Sequence, residues 1–283
     1  MFIRLGPRRQ EFPLAALIPN LLTTLALCCG LAALHFATKP DWDKALGAVV
    51  LAGIFDALDG RAARLLRVTS GFGAILDSLS DFLSFGVAPA FILHAWIASQ
   101  EKLVGRLGAF ALAGFVTYAL CAALRLARFT AEAPVGRQSR DKPAERPATY
   151  FTGMPSPAAA GAVLIPPMLA RSDTVAWTAP AWAVIAYTLV IAVLMVTRLP
   201  MFSLKALRLS RRAVAPLLVG VGLLTVAATR DPWLTLSCIS ALYLLSIPVT
   251  IITRRMSRQP AEPAGQGPAP TAGEPAAGQA PRS

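Results

Sequence analysis

Charge is scarce in this sequence. Of 283 residues only 15% are Asp, Glu, Lys or Arg, whereas 55% are hydrophobic and the mean hydropathy is +0.57. So little charge excludes a soluble globular domain of this length, which needs about a quarter of its residues charged. Acidic residues are rarer still, 15 against 27 Lys and Arg, for a formal net charge of +12. The four cysteines, Cys28, Cys29, Cys121 and Cys238, all lie in apolar runs, and none is closely paired with one of the two histidines. They read as small core residues, and a zinc site is not expected. His35 and His94 fall near the ends of apolar stretches and read as bystanders. No internal repeat is visible. A cleaved signal peptide is not expected, because the first apolar stretch is too long for one and no small-residue cleavage site follows it. The soluble basic surface with interleaved aromatics that marks nucleic-acid binding is missing too, so no nucleic acid is expected as a partner.

What the chain has in abundance is long apolar stretches, near residues 14–36, 43–66, 73–98, 103–129, 156–171, 180–197, 213–229 and 233–253. Most approach the roughly 20 residues that a bilayer requires. The expected fold class is all-α, a polytopic membrane helical bundle of about eight transmembrane helices, or seven if the short stretch at 156–171 does not span. Most of the 27 Lys and Arg fall on one side of that topology: the N-terminus, the turn with Arg61, Arg64 and Arg67, the 125–146 region, the 198–212 loop and the C-terminus. The other side keeps Lys39, Lys44, Lys102, Arg106, Arg171 and Arg230. Basic residues stay in the cytoplasm, so both termini are expected there, and the anionic lipid headgroups of the cytoplasmic leaflet match the net charge. Residues 1–13 read as a short amphipathic segment on the inner surface, 14–258 as the membrane domain, and the Pro/Ala/Gly-rich 259–283 as a disordered cytoplasmic tail.

Against this background the stretch "FDALDGRAARLLRVTSGFGAILDSLSD" places Asp56, Asp59, Asp77 and Asp81 inside apolar helices. A bare charge there costs about 2.5–3.5 kcal/mol even on lenient scales. The positions three and four residues onward hold more aspartate, or Gly, Ala and Ser, so no ion pair along the helix relieves them. At about 100° per residue, Asp56, Asp59, Gly60 and Ala63 fall within an arc of roughly 100°, with Arg64 at its edge. Gly73, Asp77, Asp81 and Ser84, with Ser80 beside them, form a second polar stripe on the next helix. A short turn joins the two, so the carboxylate rows face each other. Hard oxygen ligands at this density suit Mg²⁺ or Mn²⁺, and two divalent ions would balance four carboxylates. Such paired ions serve displacement at phosphorus.

These residues complete the pattern DxxDGxxARx8Gx3Dx3D without a departure, which resembles the signature of the CDP-alcohol phosphatidyltransferases. The resemblance implies that Asp56, Asp59 and Asp77 bind metal, and that Asp81 both touches the metal site and acts as general base. It also implies that Gly60, Ala63, Arg64 and Gly73 surround the CDP moiety. The stretches "IPNLLTTLALCCGLAAL", "LDSLSDFLSFGVAPA", "LRLARF" and "YFTGMPSPAAA" are similar to the serine-using bacterial branch of that family. That similarity implies CDP-diacylglycerol and L-serine as substrates, phosphatidylserine and CMP as products, and a homodimer. Beyond the signature, Asn20 and Thr23 are candidates to reach the nucleotide. Arg125 and Arg128, one helical turn apart, are candidates for the serine carboxylate or the lipid phosphate. Positive-inside placement accounts for the two arginines equally well, and Pro155 and Pro157 would serve in "GMPSP" merely to break the chain. Two alternatives stand beside this reading: another acceptor, such as glycerol 3-phosphate, inositol phosphate or choline, and a cation or proton transporter.

Overall fold

The computed structural model describes residues 17–66, 70–100, 106–132, 150–152, 154–175, 177–197, 200–202 and 214–257. The expectations for 1–13, for the basic 137–146 cluster and for 259–283 fall outside the described residues.

Small side chains decide how the first two helices meet. Helix α1 (Leu17–Thr38) buries Thr23, Ala26, Gly30, Ala33 and Ala37, a stripe spaced alternately three and four residues apart. Helix α2 (Trp42–Leu66) answers with Ala45, Ala48, Val49 and Ala52. This is the most extensive helix pair in the molecule. In a bilayer, where hydrophobic burial does not drive helices together, small residues at an interface let backbones approach and gain dispersion contacts. The large residues Leu21, Leu31, Leu51, Ile54 and Leu58 are turned outward, as a lipid-facing surface requires.

Helix α3 (Gly71–Asp81) begins at Ser70, whose Oγ accepts the Gly73 N–H at 2.9 Å as an N-cap. It runs without a break into a π-helical segment, Phe82–Val87, and then α4 (Ala88–Gln100). α5 spans Arg106–Glu132. The expected single helix over 156–171 is two short ones, α6 (Ser156–Val163) and α7 (Ile165–Ala170). Pro166 and Pro167 have no N–H to continue the ladder, so the chain breaks at Leu164. α8 (Ala181–Val196), α9 (Val214–Arg230) and α10 (Pro232–Ser257) complete the bundle. The departure from helix among the described residues is a two-stranded antiparallel ribbon, β1 (Tyr150–Thr152) with β2 (Pro200–Phe202), Phe151 opposite Met201. The packed interior holds Leu46, Ile92, Tyr118, Leu164, Ile191 and Met195.

Each of the eight apolar stretches coincides with helix where its residues are described, but among the described residues three runs are long and apolar enough to cross a membrane: Leu17–Thr38, Gly71–Gln100 and Gly108–Ala131. α2 has 25 residues, and it falls short on polarity because Asp56, Asp59, Arg61 and Arg64 interrupt it. Helices α8, α9 and the first part of α10 are apolar but shorter.

At the end of the bundle where α2 begins, three connections are tied together by side chains. Arg171 donates from Nε and Nη2 to the two Asp43 oxygens at 3.1 and 2.6 Å, and Trp233 Nε1 reaches Asp43 Oδ1 at 2.9 Å. Asp231 caps α10 by accepting the Leu234 N–H at 2.9 Å, and its other oxygen accepts from Ser172 Oγ at 2.6 Å and the Thr174 N–H at 3.2 Å. The α1–α2 turn adds the Lys44–Asp41 pair.

Candidate active site

At the opposite end of α2 the four aspartates meet. Carboxylate oxygens of Asp56, Asp59 and Asp77 all lie within 4.8 Å of one another, and the Asp81 carboxyl is against that of Asp56. Asp59 is buried and the other three are partly buried. Neither of the ion pairs among the described residues involves them, since Lys44–Asp41 and Arg171–Asp43 both lie at the far end. Four carboxylates gathered under these conditions repel one another unless cations or protons intervene. The donor set is all hard oxygen, which fits divalent ions of the Mg²⁺ or Mn²⁺ type.

Geometry follows from the spacing. One helical turn separates Asp56 from Asp59 on α2, and another separates Asp77 from Asp81 on α3, while the antiparallel crossing brings the two rows together. α1 fixes their position from behind. Thr23 Oγ1 donates to Asp59 Oδ2 at 2.6 Å, with the Pro19 carbonyl a longer acceptor at 3.0 Å. Ser80 and Ser84 donate to the carbonyls of Thr23 and Ala26 at 3.3 and 3.2 Å. Thus the serines of the second polar stripe seat the helix on α1, and the aspartates of that stripe are left to face α2.

Beside the carboxylates a cleft of about 160 Å³ is lined by Pro19, Asn20, Thr23, Asp59, Gly60, Ala63, Ser70, Gly73, Ala74 and Asp77. Of the residues expected around the nucleotide, Gly60, Ala63, Gly73, Asn20 and Thr23 are all brought together here. Arg64 is not among them; it is exposed on the far edge of α2. The two glycines differ. A Cβ at Gly60 would meet nothing within 4 Å, whereas one at Gly73 would press on Asn20 Oδ1 at 2.6 Å and Ser70 Oγ at 3.0 Å. At Gly73 the crowding comes from the ends of two of the protein's own side chains, whereas Gly60 fronts open space in the cleft wall.

The two arginines of α5, equivalent by spacing, separate. Arg128 Nη1 donates to the Val196 carbonyl at 3.2 Å, closing the C-terminal end of α8. Arg125 instead faces Asp81, donates from Nη1 to Ser156 Oγ, and stacks over the Phe129 ring 5.4 Å from its centroid. The "GMPSP" stretch therefore does more than break the chain, since its serine holds Arg125. His35 packs against Phe36 and His94 against Phe115, away from the aspartates as expected.

Sequence reasoning missed Ser70, Tyr243 and the π-helical turn. Ser70 had a signal, an N-cap residue ahead of an apolar run. Tyr243, on α10, comes near Arg125, and only the folded chain shows that. In the π-helical segment the Ala88 N–H bonds five residues back to the Leu83 carbonyl. The Phe85 carbonyl, whose partner four residues on would be Pro89 with no N–H, accepts the Tyr118 hydroxyl at 3.1 Å. Such turns collect at functional sites, and this one starts on the residue after Asp81.

Comparison with known proteins agrees with this geometry. The family described as CDP-alcohol phosphatidyltransferase matches residues 16–199, and the one described as CDP-alcohol phosphatidyltransferase 2 matches residues 212–248. A Mycobacterium tuberculosis protein named CDP-diacylglycerol--serine O-phosphatidyltransferase is 31% identical over 256 residues, 89% of this chain and 84% of its own. Proteins of the same name from Helicobacter pylori and Methanocaldococcus jannaschii are 36% identical over 149 residues and 46% identical over 81. The Helicobacter match covers 53% of this chain and 56% of that protein, the Methanocaldococcus match 29% and 36%.

Proposed function

Because the chain belongs to the CDP-alcohol phosphatidyltransferase family, we propose that it transfers the phosphatidyl group of CDP-diacylglycerol to L-serine, giving phosphatidylserine and CMP. The observation that carries this reading is the convergence of Asp56, Asp59 and Asp77 within 4.8 Å beside a glycine-walled cleft. The shared name of the relatives, quoted above, favours serine among the possible acceptors.

Asp56, Asp59, Asp77 and Asp81 would hold two divalent ions, Mg²⁺ or Mn²⁺, with Thr23 fixing the orientation of Asp59. When bound, such ions supply the positive charge that a diphosphate and a departing CMP require. Gly60, Ala63, Gly73, Asn20 and Thr23 receive the CDP moiety, the open space at Gly60 admitting it close to the backbone. Arg64, at the exposed edge, is left to meet phosphate from the rim. The serine hydroxyl oxygen forms a bond to the phosphorus bearing diacylglycerol, the bond from that phosphorus to the CMP oxygen breaks, and CMP leaves with the electron pair. Asp81 takes the hydroxyl proton. Arg125, aimed at Asp81, draws the acceptor toward it, whereas Arg128 is committed to the end of α8. Tight placement of both reactants against the reacting phosphorus contributes as much as any single group.

The whole is read as an inner-membrane protein of eight spans with both termini cytoplasmic, working as a homodimer. The aspartates then lie at the cytoplasmic end, where cytidine and serine arrive from water while acyl chains stay in the leaflet. The far end carries the Asp43–Arg171 and Asp41–Lys44 pairs, which offset the basic residues on that side. Purified protein given CDP-diacylglycerol and, in turn, L-serine, glycerol 3-phosphate, inositol phosphate and choline tests the assignment. CMP release with serine alone, abolished by EDTA and restored by Mg²⁺ or Mn²⁺, is the expected result. Release with one of the other alcohols and none with serine overturns the acceptor; no CMP with any overturns the enzyme.

A further inference from the structure

Two buried hydrogen-bond donors that neighbour each other have no partner among the described residues: Nε of Arg125, the arginine that faces Asp81, and the Tyr243 hydroxyl. A buried polar group without a partner costs free energy, so each such atom calls for an explanation. Two other tyrosine hydroxyls of the bundle are spent. Tyr118 donates to the Phe85 carbonyl at 3.1 Å and Tyr187 to the Ala162 carbonyl at 2.7 Å. Tyr243 is different. It comes from α10, its ring walls a largely apolar groove with Gly53, Phe85 and Pro157, and it stands close enough to the Arg125 guanidinium for the two to interact electrostatically. Arg125 in turn faces Asp81 and is held there by Ser156 and Phe129.

Two unspent donors, one of them cationic, define a place for an anionic oxygen pair. Resting on the function proposed above, the charges of the reactants identify it. The diphosphate of CDP-diacylglycerol has its counter-charge at the four aspartates and their ions. The acceptor's carboxylate has none there, and carboxylates would repel it. We propose that Tyr243 and Arg125 together form the subsite for the carboxylate of the acceptor amino acid, which makes Tyr243 a specificity-determining residue. Gripped by its carboxylate on Arg125 and Tyr243, the amino acid presents its hydroxyl to Asp81. An acceptor lacking a carboxylate leaves both donors unpaired and is rejected for that reason, because a site built for a polar group penalises an analogue without it.

Tyr243→Phe removes the hydroxyl and nothing else. Since that hydroxyl has no partner in the protein, the variant should melt within a degree or two of the parent, which separates binding from folding. In the CMP-release assay KM for L-serine should rise about tenfold or more, with kcat at saturating serine and KM for CDP-diacylglycerol within twofold of the parent. Two dead-end competitors sharpen the test. L-alanine keeps the carboxylate and lacks the hydroxyl, so its inhibition constant should rise in parallel with KM for serine. Ethylamine lacks both the carboxylate and the hydroxyl, so its inhibition constant should not move. An unchanged KM for serine overturns the proposal, and so does an equal loss for both competitors, which is what a merely structural tyrosine would give. If the parent protein releases CMP with serine and the variant behaves like it, this inference alone fails. If the parent gives no CMP with serine, the function proposed above fails and this subsite falls with it.

Discussion

At the scale of single residues, the proposed function divides the site into side chains that answer to the protein's own packing and side chains given to a ligand. The two glycines of the cleft show the division. Gly73→Ala sets a methyl 2.6 Å from Asn20 Oδ1 and 3.0 Å from the Ser70 Oγ that caps α3, so the Asn20 amide must swing aside and the cap is crowded, and the variant should lose a degree or more of melting temperature along with activity. Gly60→Ala meets no protein atom within 4 Å. It should melt like the parent and still bind CDP-diacylglycerol at least tenfold more weakly in a titration, because its methyl occupies the space assigned to the nucleotide. Equal melting losses for both variants would return Gly60 to a packing role. Asp81 tests the chemistry in the same way. Asp81→Asn keeps the shape and loses the basic oxygen, so nucleotide binding should persist while turnover falls by a hundredfold or more. A variant with full activity would remove Asp81 as the base.

At the scale of elements, the point of interest is how α3 delivers Asp77 and Asp81 to α2 while Ser80 and Ser84 grip α1. The π-helical turn after Asp81 adds a residue to the helix, and just beyond it Pro89 has no N–H to give the Phe85 carbonyl, so Tyr118 supplies the donor at 3.1 Å. Tyr118 is fully buried. Tyr118→Phe leaves a buried acceptor unsatisfied, at a cost of about 1–3 kcal/mol, and removes what holds the turn. Melting temperature should fall by a few degrees and kcat should fall with it, whereas KM for CDP-diacylglycerol, which the proposed function places in the cleft at the Ser70 end of α3, should change little. Loss of stability with kcat intact would show that the turn does not position Asp81. The elements were largely legible in the sequence, because apolar length and the 3.6-residue period fix where Asp56 and Asp59, or Asp77 and Asp81, fall on a helix whatever lies around them. The π-helical turn was not, although Pro89 marks where the ladder loses a donor; that a hydroxyl on α5 replaces it is visible only in the fold. For the same reason Arg125 and Arg128 looked alike by spacing, and only Ser156 and the Val196 carbonyl tell them apart.

At the scale of the whole molecule, the carboxylates that repel at one end of the bundle are matched by carboxylates that bind at the other. Asp43 and Asp231 each take several donors from different connections, so the α1–α2 turn, the segment after α7 and the α9–α10 turn are tied together, whereas at the cleft end the carboxylates face one another and Thr23 donates to Asp59. Asp231 makes this testable through pH. Burial alone would push its carboxyl up, but the Ser172 hydroxyl and the Leu234 and Thr174 N–H groups outweigh that and hold it down at about 2, against an ordinary value of 3.8. A carboxyl whose folded value is depressed stabilises the fold fully above its unfolded value, and that contribution disappears as pH falls from about 4 toward 2. Asp231→Asn keeps a capping side chain and discards the charge. In detergent at pH 6 the variant should melt a few degrees below the parent, and the gap should close as the pH is taken from 5 to 2.5, with CMP release at neutral pH and permissive temperature unchanged. A gap that stays constant over that range would mean that the charge on Asp231 contributes nothing. Loss of activity in proportion to the loss of stability would mean that the clamp and the aspartate cluster, at opposite ends of α2, are coupled through the helix that joins them.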